Sequence, residues 1–178
     1  MNNRLIEIRH AVLADARAIA EVHVASWRTT YAGIVAQSYL DALSVDQRAA
    51  AWERRLANMT ASRSEIFVVD TREGVVGFVA GGPRQAPTSG YDAQLHAIYL
   101  RSEVQGQGTG RKLAQVWAAA AVDRGWVAAV VDVLARNPAR GFYERLGAQH
   151  LEDLAVVIGG DSYIEARYGW TNLQVLAA

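Results

Sequence analysis

The chain of 178 residues contains no cysteine. Disulfides, thiolate metal sites, iron–sulfur clusters and covalent catalysis through a protein thiol are therefore excluded. Charge of one sign is lacking too, because eighteen Lys and Arg face eighteen Asp and Glu. A net charge of zero provides no global field to draw in a polyanion or an anionic membrane surface, so no nucleic-acid or membrane partner is expected. Long hydrophobic runs are missing. The longest apolar stretch, AQVWAAAAV, is too short to span a bilayer, and MNNRLIEIRH has no apolar signal core. A soluble cytoplasmic protein is the expectation. What is plentiful is core material: 51% of the residues are hydrophobic, enough for one domain of this length.

The patterning alternates between the two secondary-structure periods. Residues 5 to 9 alternate as a short peripheral strand. Residues 15 to 31 then place Ile19, Val22 and Ser26 on one helical face and Ala20, Val24, Trp27 and Tyr31 on another, which predicts a largely buried helix. Ser44 followed by Gln47 is a capping box for a helix ending near Ala57. EIFVVD (65–70) and VVGFVA (75–80), separated by Glu73-Gly74, predict a hairpin, and residues 81 to 90, holding two of the three prolines, predict a loop. A third strand is expected over 93 to 100 and a glycine-rich corner over 105 to 110. Leu113, Val116, Trp117, Ala120 and Ala121 mark a helix, and residues 126 to 133 a buried strand. Pro138 opens a short helix that Gly147 closes. Gly159-Gly160 joins a terminal hairpin. The order implies one α/β domain over residues 1–178 with a mixed, mostly antiparallel sheet flanked by helices.

The glycine corner carries the chemistry. In Gln105-Gly106-Gln107-Gly108-Thr109-Gly110, three alternating glycines let a ligand approach main-chain N–H groups without meeting a Cβ. The helix that follows directs its unpaired amides and positive dipole end at the same place, which suits a phosphate. Arg111 and Lys112 oppose that dipole unless an anion is also bound. The plain structural alternative is a tight strand-to-helix turn with a solvated basic start. A Walker A loop would need Gly-Lys-Ser/Thr after a longer spacer. A dinucleotide loop would need G-x-G-x-x-G, although Asp132 lies where a ribose-binding acid would be wanted.

The stretch LHAIYLRSEVQGQGTGRKL resembles the coenzyme-binding signature of the GNAT superfamily of acetyl-CoA-dependent N-acetyltransferases, Gln105, Gly108 and Gly110 meeting its Q/R-x-x-G-x-G/A pattern. Asn137 to Gly147 resembles the family's second coenzyme motif, and EVHVASWRTTY its substrate-side helices. The resemblance implies that acetyl-CoA is the co-substrate, with no metal. Its pyrophosphate would rest on Gly106, Gln107, Gly108, Thr109, Gly110 and Arg111, and its pantetheine arm would pair with the main chain of Ile98 and Leu100. Asn137 would hold the arm, and Tyr143 would protonate the sulfur. The interval from Asn137 to Tyr143 is one residue shorter than in many members, which brings Arg136 forward as a substitute. Each position also has a bland reading: Ile98 and Leu100 as core, Asn137 as a turn starter before proline, Tyr143 as a packing aromatic.

Without a cysteine, direct attack of an amine on the thioester is the simpler route. A lysine-like amine of pKa about 10.4 costs about 4 to 5 kcal/mol to deprotonate at pH 7, whereas a thiolate of pKa about 8.5 takes up a proton at that pH favourably, by about 2 kcal/mol. The proton acceptor is the larger demand. Many relatives carry a glutamate on the strand before the corner, and the aligned residue here is Gln94. Asp92, His96 and His23 remain as candidates, beside a water chain to solvent. Trp27 and Tyr31, with Gln94, are expected to line the acceptor pocket, or the two aromatics are core. The expected partner is a small-molecule or peptide amine. Three classes stay open: acetyl transfer, a non-catalytic acyl-CoA-binding or sensing module, and a nicotinamide oxidoreductase. The apolar terminal hairpin offers a homodimer surface.

Overall fold

Residues 66–69 and 75–80 are buried without a break, as apolar runs are when helices cover both faces of a sheet. They lie in two antiparallel strands, β2 (Glu65–Thr71) and β3 (Gly74–Pro83). The computed structural model describes residues 6–84 and 90–178. Leu5, expected in the first strand, and residues 85–89, expected in a loop, lie outside them. Around the β2–β3 hairpin stand β1 (Glu7–His10), β4 (Ala93–Leu100), β5 (Ala129–Leu134), β6 (Gln149–Ile158) and β7 (Asp161–Trp170). The sheet order is β1-β2-β3-β4-β5-β7-β6, with every neighbour antiparallel except β4 and β5. This is the expected mixed, mostly antiparallel sheet.

One face is covered by α1 (Ala16–Thr30) and α3 (Val45–Ala57), whose Ile19, Val22, Trp52 and Leu56 pack on Ile66, Val68 and Phe78. The Ser44 hydroxyl accepts the Gln47 N–H at 3.3 Å and starts α3 as its sequence implies. The other face is covered by α4 (Thr109–Asp123), with Leu113 and Trp117 fully buried, and by α5 (Arg140–Arg145). Arg9 ties β1 to this frame. Its guanidinium donates to both oxygens of Asp15 at 2.8 and 2.9 Å and to Asp70 at 2.7 Å. Although burial works against the charge of Asp15, Arg9 and the Val12 amide hold its carboxyl below the usual range.

Three features depart from the sequence expectation. The expected loop begins later, because β3 continues through Gly81 and Gly82, paired with Leu95 and Gln94, to Pro83. Glycine serves close approach here: a Cβ at Gly81 would run into the Trp117 ring. Two short helices, α2 (Gln37–Ala42) and α6 (Leu173–Ala177), were not signalled, being too short to show a period. The tip of the β6–β7 hairpin also folds back onto α2. A Cβ at Gly159 would lie 2.6 Å from Tyr39, and the Tyr163 hydroxyl accepts the Ala36 N–H at 3.0 Å.

His23, on α1, packs against Trp27, Trp52, Phe78 and Tyr99, the last ring stacked at 5.3 Å. Its Nδ1 accepts the Trp52 indole N–H at 3.2 Å. Burial, assisted by Arg48 and Arg55, pushes this imidazole down to about 3. The unfolded chain binds the proton near 6.5, so the stabilisation is complete above that pH and is lost as pH falls from about 6.5 toward 3. Urea unfolding at several pH values across this range should show stability declining with acid. His23→Gln, which keeps an acceptor for Trp52, should decline less; equal slopes would remove His23 as the cause.

Candidate functional site

The site begins with a counting mismatch. Ala80 pairs with Ala97 and Gly81 with Leu95, leaving His96 as an extra residue in β4. Such a bulge bends its strand and increases the local twist. β4 and β5 accordingly pair over only three positions, Ala93 to Leu95 against Ala129 to Val131, and then part. The gap opens into a cleft of about 690 Å³. Its floor is the β4 segment from His96 to Leu100 with Val131 to Val133 of β5. Its walls are Tyr31 and its α1 neighbours on one side and Asn137 to Tyr143 on the other.

The bulge also decides which backbone groups are free. Arg101 donates its N–H to Val76 at 2.8 Å. By strand alternation Tyr99 also faces β3, while the amide groups of Ile98 and Leu100 face the gap. Those are the two residues singled out for pairing with an extended ligand. The Leu100 carbonyl is already engaged, accepting the Gln105 side-chain amide at 2.8 Å.

At the far end of the cleft lies the glycine corner. Gly106 and Gly108 have φ of +72° and +81°, conformations that favour glycine. A Cβ at either would meet nothing of the protein, so the space before them is open. Gly108 is the N-cap of α4 and leaves the first amides of that helix unpaired by any cap side chain. Gly110 has a different role: a Cβ there would come within 3.3 Å of Phe142, so it lets α4 approach α5. Arg111 reaches the cleft. So does Arg145 of α5, which the sequence did not single out; both are exposed, and among the described residues neither has an ion-pair or hydrogen-bond partner. Their lack of partners, a signal visible only in three dimensions, fits a ligand with several phosphate charges.

Other expected residues sit elsewhere. Gln107 points away, donating to the Glu103 carbonyl at 3.0 Å, and Thr109 is buried in the first turn of α4. Trp27 does not line the cleft; its ring supports Tyr31 at 4.6 Å. The Trp27 indole nitrogen is buried with no hydrogen-bond partner among the described residues. Gln94 also lies outside the lining and donates to Asp132 at 3.2 Å. Asp132 in turn is gripped by Arg167 at 2.7 and 2.9 Å. Asp92, one of the base candidates, accepts the amides of Val127 and Ala128 at 3.0 Å, and His23 is enclosed in its aromatic cluster. Neither faces the cleft.

Asn137 combines both of its readings. Its carbonyl oxygen accepts the Ala139 N–H at 2.9 Å, a local turn, while its amide reaches the Tyr31 hydroxyl at 3.5 Å from within the cleft wall. Tyr31 continues to the Tyr99 hydroxyl at 3.3 Å. Arg136 is exposed and is not part of the lining. Tyr143 is buried, and its hydroxyl has no hydrogen-bond partner among the described residues. Burial raises the pKa of Tyr143, Tyr31 and Tyr99, so all three remain protonated at neutral pH. Among the described residues no group of three His, Asp or Glu is placed to hold a metal ion, and no helix is long and apolar enough to cross a membrane.

The arrangement has close counterparts. The family described as "Acetyltransferase (GNAT) domain" matches residues 62–147, from the start of the β2–β3 hairpin through the end of the short helix that walls the cleft. Over 173 residues the chain is 35% identical to Uncharacterized N-acetyltransferase YuaI of Bacillus subtilis (strain 168), covering 97% of this chain and 96% of that one. The fold superposes on the PaiA N-acetyltransferase of Thermoplasma acidophilum in complex with coenzyme A, with a TM-score of 0.69, 22% identity and coverage of 92% and 99%. It also superposes on yncA of Salmonella typhimurium with acetyl-CoA, with a TM-score of 0.67, 22% identity and 94% coverage of each chain. A splayed parallel strand pair, a left-handed glycine corner at the head of a helix and a near full-length relative lead to one conclusion: the chain belongs to the GNAT acetyltransferases.

Proposed function

We propose that the protein transfers the acetyl group of acetyl-CoA to a primary amine by direct attack in a ternary complex. The observation that carries this reading is the opening of β4 from β5 at His96, with unpaired strand amides along the gap and the glycine corner at its end. Pantetheine has two amides, and an open strand edge supplies complementary groups; Ile98 offers both of its own, and Leu100 its N–H. The amides from Gly106 to Arg111, with the free Arg145, would take the phosphates. Asn137 would steady the arm from the opposite wall. Tyr143, protonated and without a partner, would give its proton to the departing sulfur. With no cysteine in the chain, the amine itself forms the new C–N bond as the C–S bond breaks. Tyr31 would face the acceptor, backed by Trp27, and Gln94 would act on the acceptor side only through Asp132.

The continuous seven-stranded sheet supports a single N-acetyltransferase domain over 1–178, working in the cytoplasm where acetyl-CoA is available. It ends in β6, an edge strand whose Val157 is 67% exposed beside Ile164 of β7 at 50%. Two such edges joined in a homodimer would cover these side chains. Sedimentation should find a dimer that Val157→Lys with Ile164→Lys converts to a folded monomer; a wild-type monomer would end the dimer proposal.

Gly108→Val should weaken acetyl-CoA binding at least tenfold, about 1.4 kcal/mol, because valine resists a φ of +81° and would fill the open space. Calorimetric titration measures it, with a thermal melt to verify folding; unchanged affinity in the folded variant would separate the corner from the coenzyme.

Tyr143→Phe should lower kcat by roughly one to two powers of ten without changing the affinity for acetyl-CoA, within the range of general acid catalysis. Coenzyme A thiol release with a panel of amines measures this. Tight acetyl-CoA binding with no turnover of any amine would instead identify a non-catalytic acyl-CoA-binding module.

A further inference from the structure

His96 is the residue that the bulge adds to β4. It has no cross-strand partner on β3, and it stands where β4 leaves β5, next to the last paired position. It lines the cleft, and neither ring nitrogen has a hydrogen-bond partner among the described residues. We infer that His96 accepts the proton that the acceptor nitrogen loses when it bonds to the thioester carbonyl, an inference that deepens the acetyl-transfer reading and rests on it.

The other titratable groups lining the cleft are unsuited to this role. Asp132 has both oxygens engaged by Arg167 and one also by Gln94. Tyr31, Tyr99 and Tyr143 hold their protons, and Arg111 and Arg145 are cations. Among the described residues that line the cleft, only His96 is a neutral base with a free lone pair. The charges acting on it come from several elements. Arg55 of α3 lowers its pKa and Asp132 of β5 raises it, with Arg167 of β7 behind Asp132. The cleft-lining residues of α1, Ser26, Thr29 and Thr30, carry no charge, and Tyr31 beyond them is neutral. The residue is exposed along the cleft, yet desolvation by the surrounding protein, with Arg55, brings the imidazole down to about 4. It is therefore uncharged at neutral pH. Since such an imidazole is too weak to deprotonate a free ammonium ion, the amine reacts in its neutral form. The nitrogen becomes far more acidic once joined to the carbonyl carbon, and His96 takes its proton then. The electron pair of the C–S bond leaves with sulfur, which takes a proton from Tyr143, and solvent returns the imidazolium proton to the tyrosine. The balance is amine plus acetyl-CoA giving amide plus free thiol.

The test compares wild type, His96→Ala and His96→Gln, with an amine acceptor found in the panel. Both variants should bind acetyl-CoA within about twofold of wild type by calorimetry and lose about a hundredfold or more in kcat/KM. Added imidazole should restore turnover to His96→Ala, in proportion to the neutral imidazole present and more strongly for more basic imidazoles. A positioning or packing role predicts no such rescue, so a loss that no imidazole restores overturns the assignment. Normal turnover in His96→Ala overturns it as well, while leaving acetyl transfer intact. Absence of turnover in wild type that binds acetyl-CoA overturns both.

Discussion

β4 carries one residue more than the strand beside it can match, and the geometry of the cleft follows from that excess. Because the side-chain period of a strand is two, an inserted residue reverses which backbone groups face which neighbour. Before His96, Ala93 takes part in pairing with β5; beyond it, Ile98 and Leu100 turn amide groups toward a gap that β5 no longer fills. An open parallel edge inside a sheet would ordinarily leave donors and acceptors unsatisfied. Here it is covered by helices at both sides and faces a cleft wide enough for a ligand. The proposed coenzyme site rests on that unsatisfied edge.

A second layer of order surrounds this opening. Gln94, Asp132, Arg167 and Glu152 form a row across four strands, with contacts from 2.7 to 3.2 Å. The row explains why an amide occupies position 94. A carboxylate there would meet the Asp132 carboxylate with no donor between them, and like charges at that range oppose ionisation. The carboxylate lies on β5, where it is neutralised by Arg167, and His96 lies on the bulge.

Much of this was legible in the sequence, and what was not has definite physical reasons. The helices from Ala16 and Val45 announced themselves through their period and the Ser44 cap, and the β2–β3 hairpin through its β-branched runs. The glycine corner was legible because Gly106 and Gly108 answer a local conformational need. The bulge at His96 was not, since it arises from pairing with Ala80 and Gly81, residues distant in sequence. The extension of β3 to Pro83 escaped for a related reason: glycine and proline usually punctuate loops, whereas Gly81 makes room for the Trp117 ring of another layer. Gln94 was aligned correctly on its strand, yet its side chain turned to Asp132, which only the β4–β5 register could disclose. Arg145 and Phe142 entered the cleft through the packing of a one-turn helix, a placement for which sequence period carries no information.

The contact between the β6–β7 hairpin and α2 makes two remote parts of the molecule a single mechanical body. Gly159 lies against Tyr39, and the Tyr163 hydroxyl holds the Ala36 amide, so the hairpin grips the chain just past Tyr31. This grip anchors the α1–α2 turn, and with it the wall of the cleft that bears Tyr31, to the outermost edge of the sheet. The wall that bears Tyr31 therefore has a second support besides α1 itself, and it comes from a side chain 127 residues beyond Ala36.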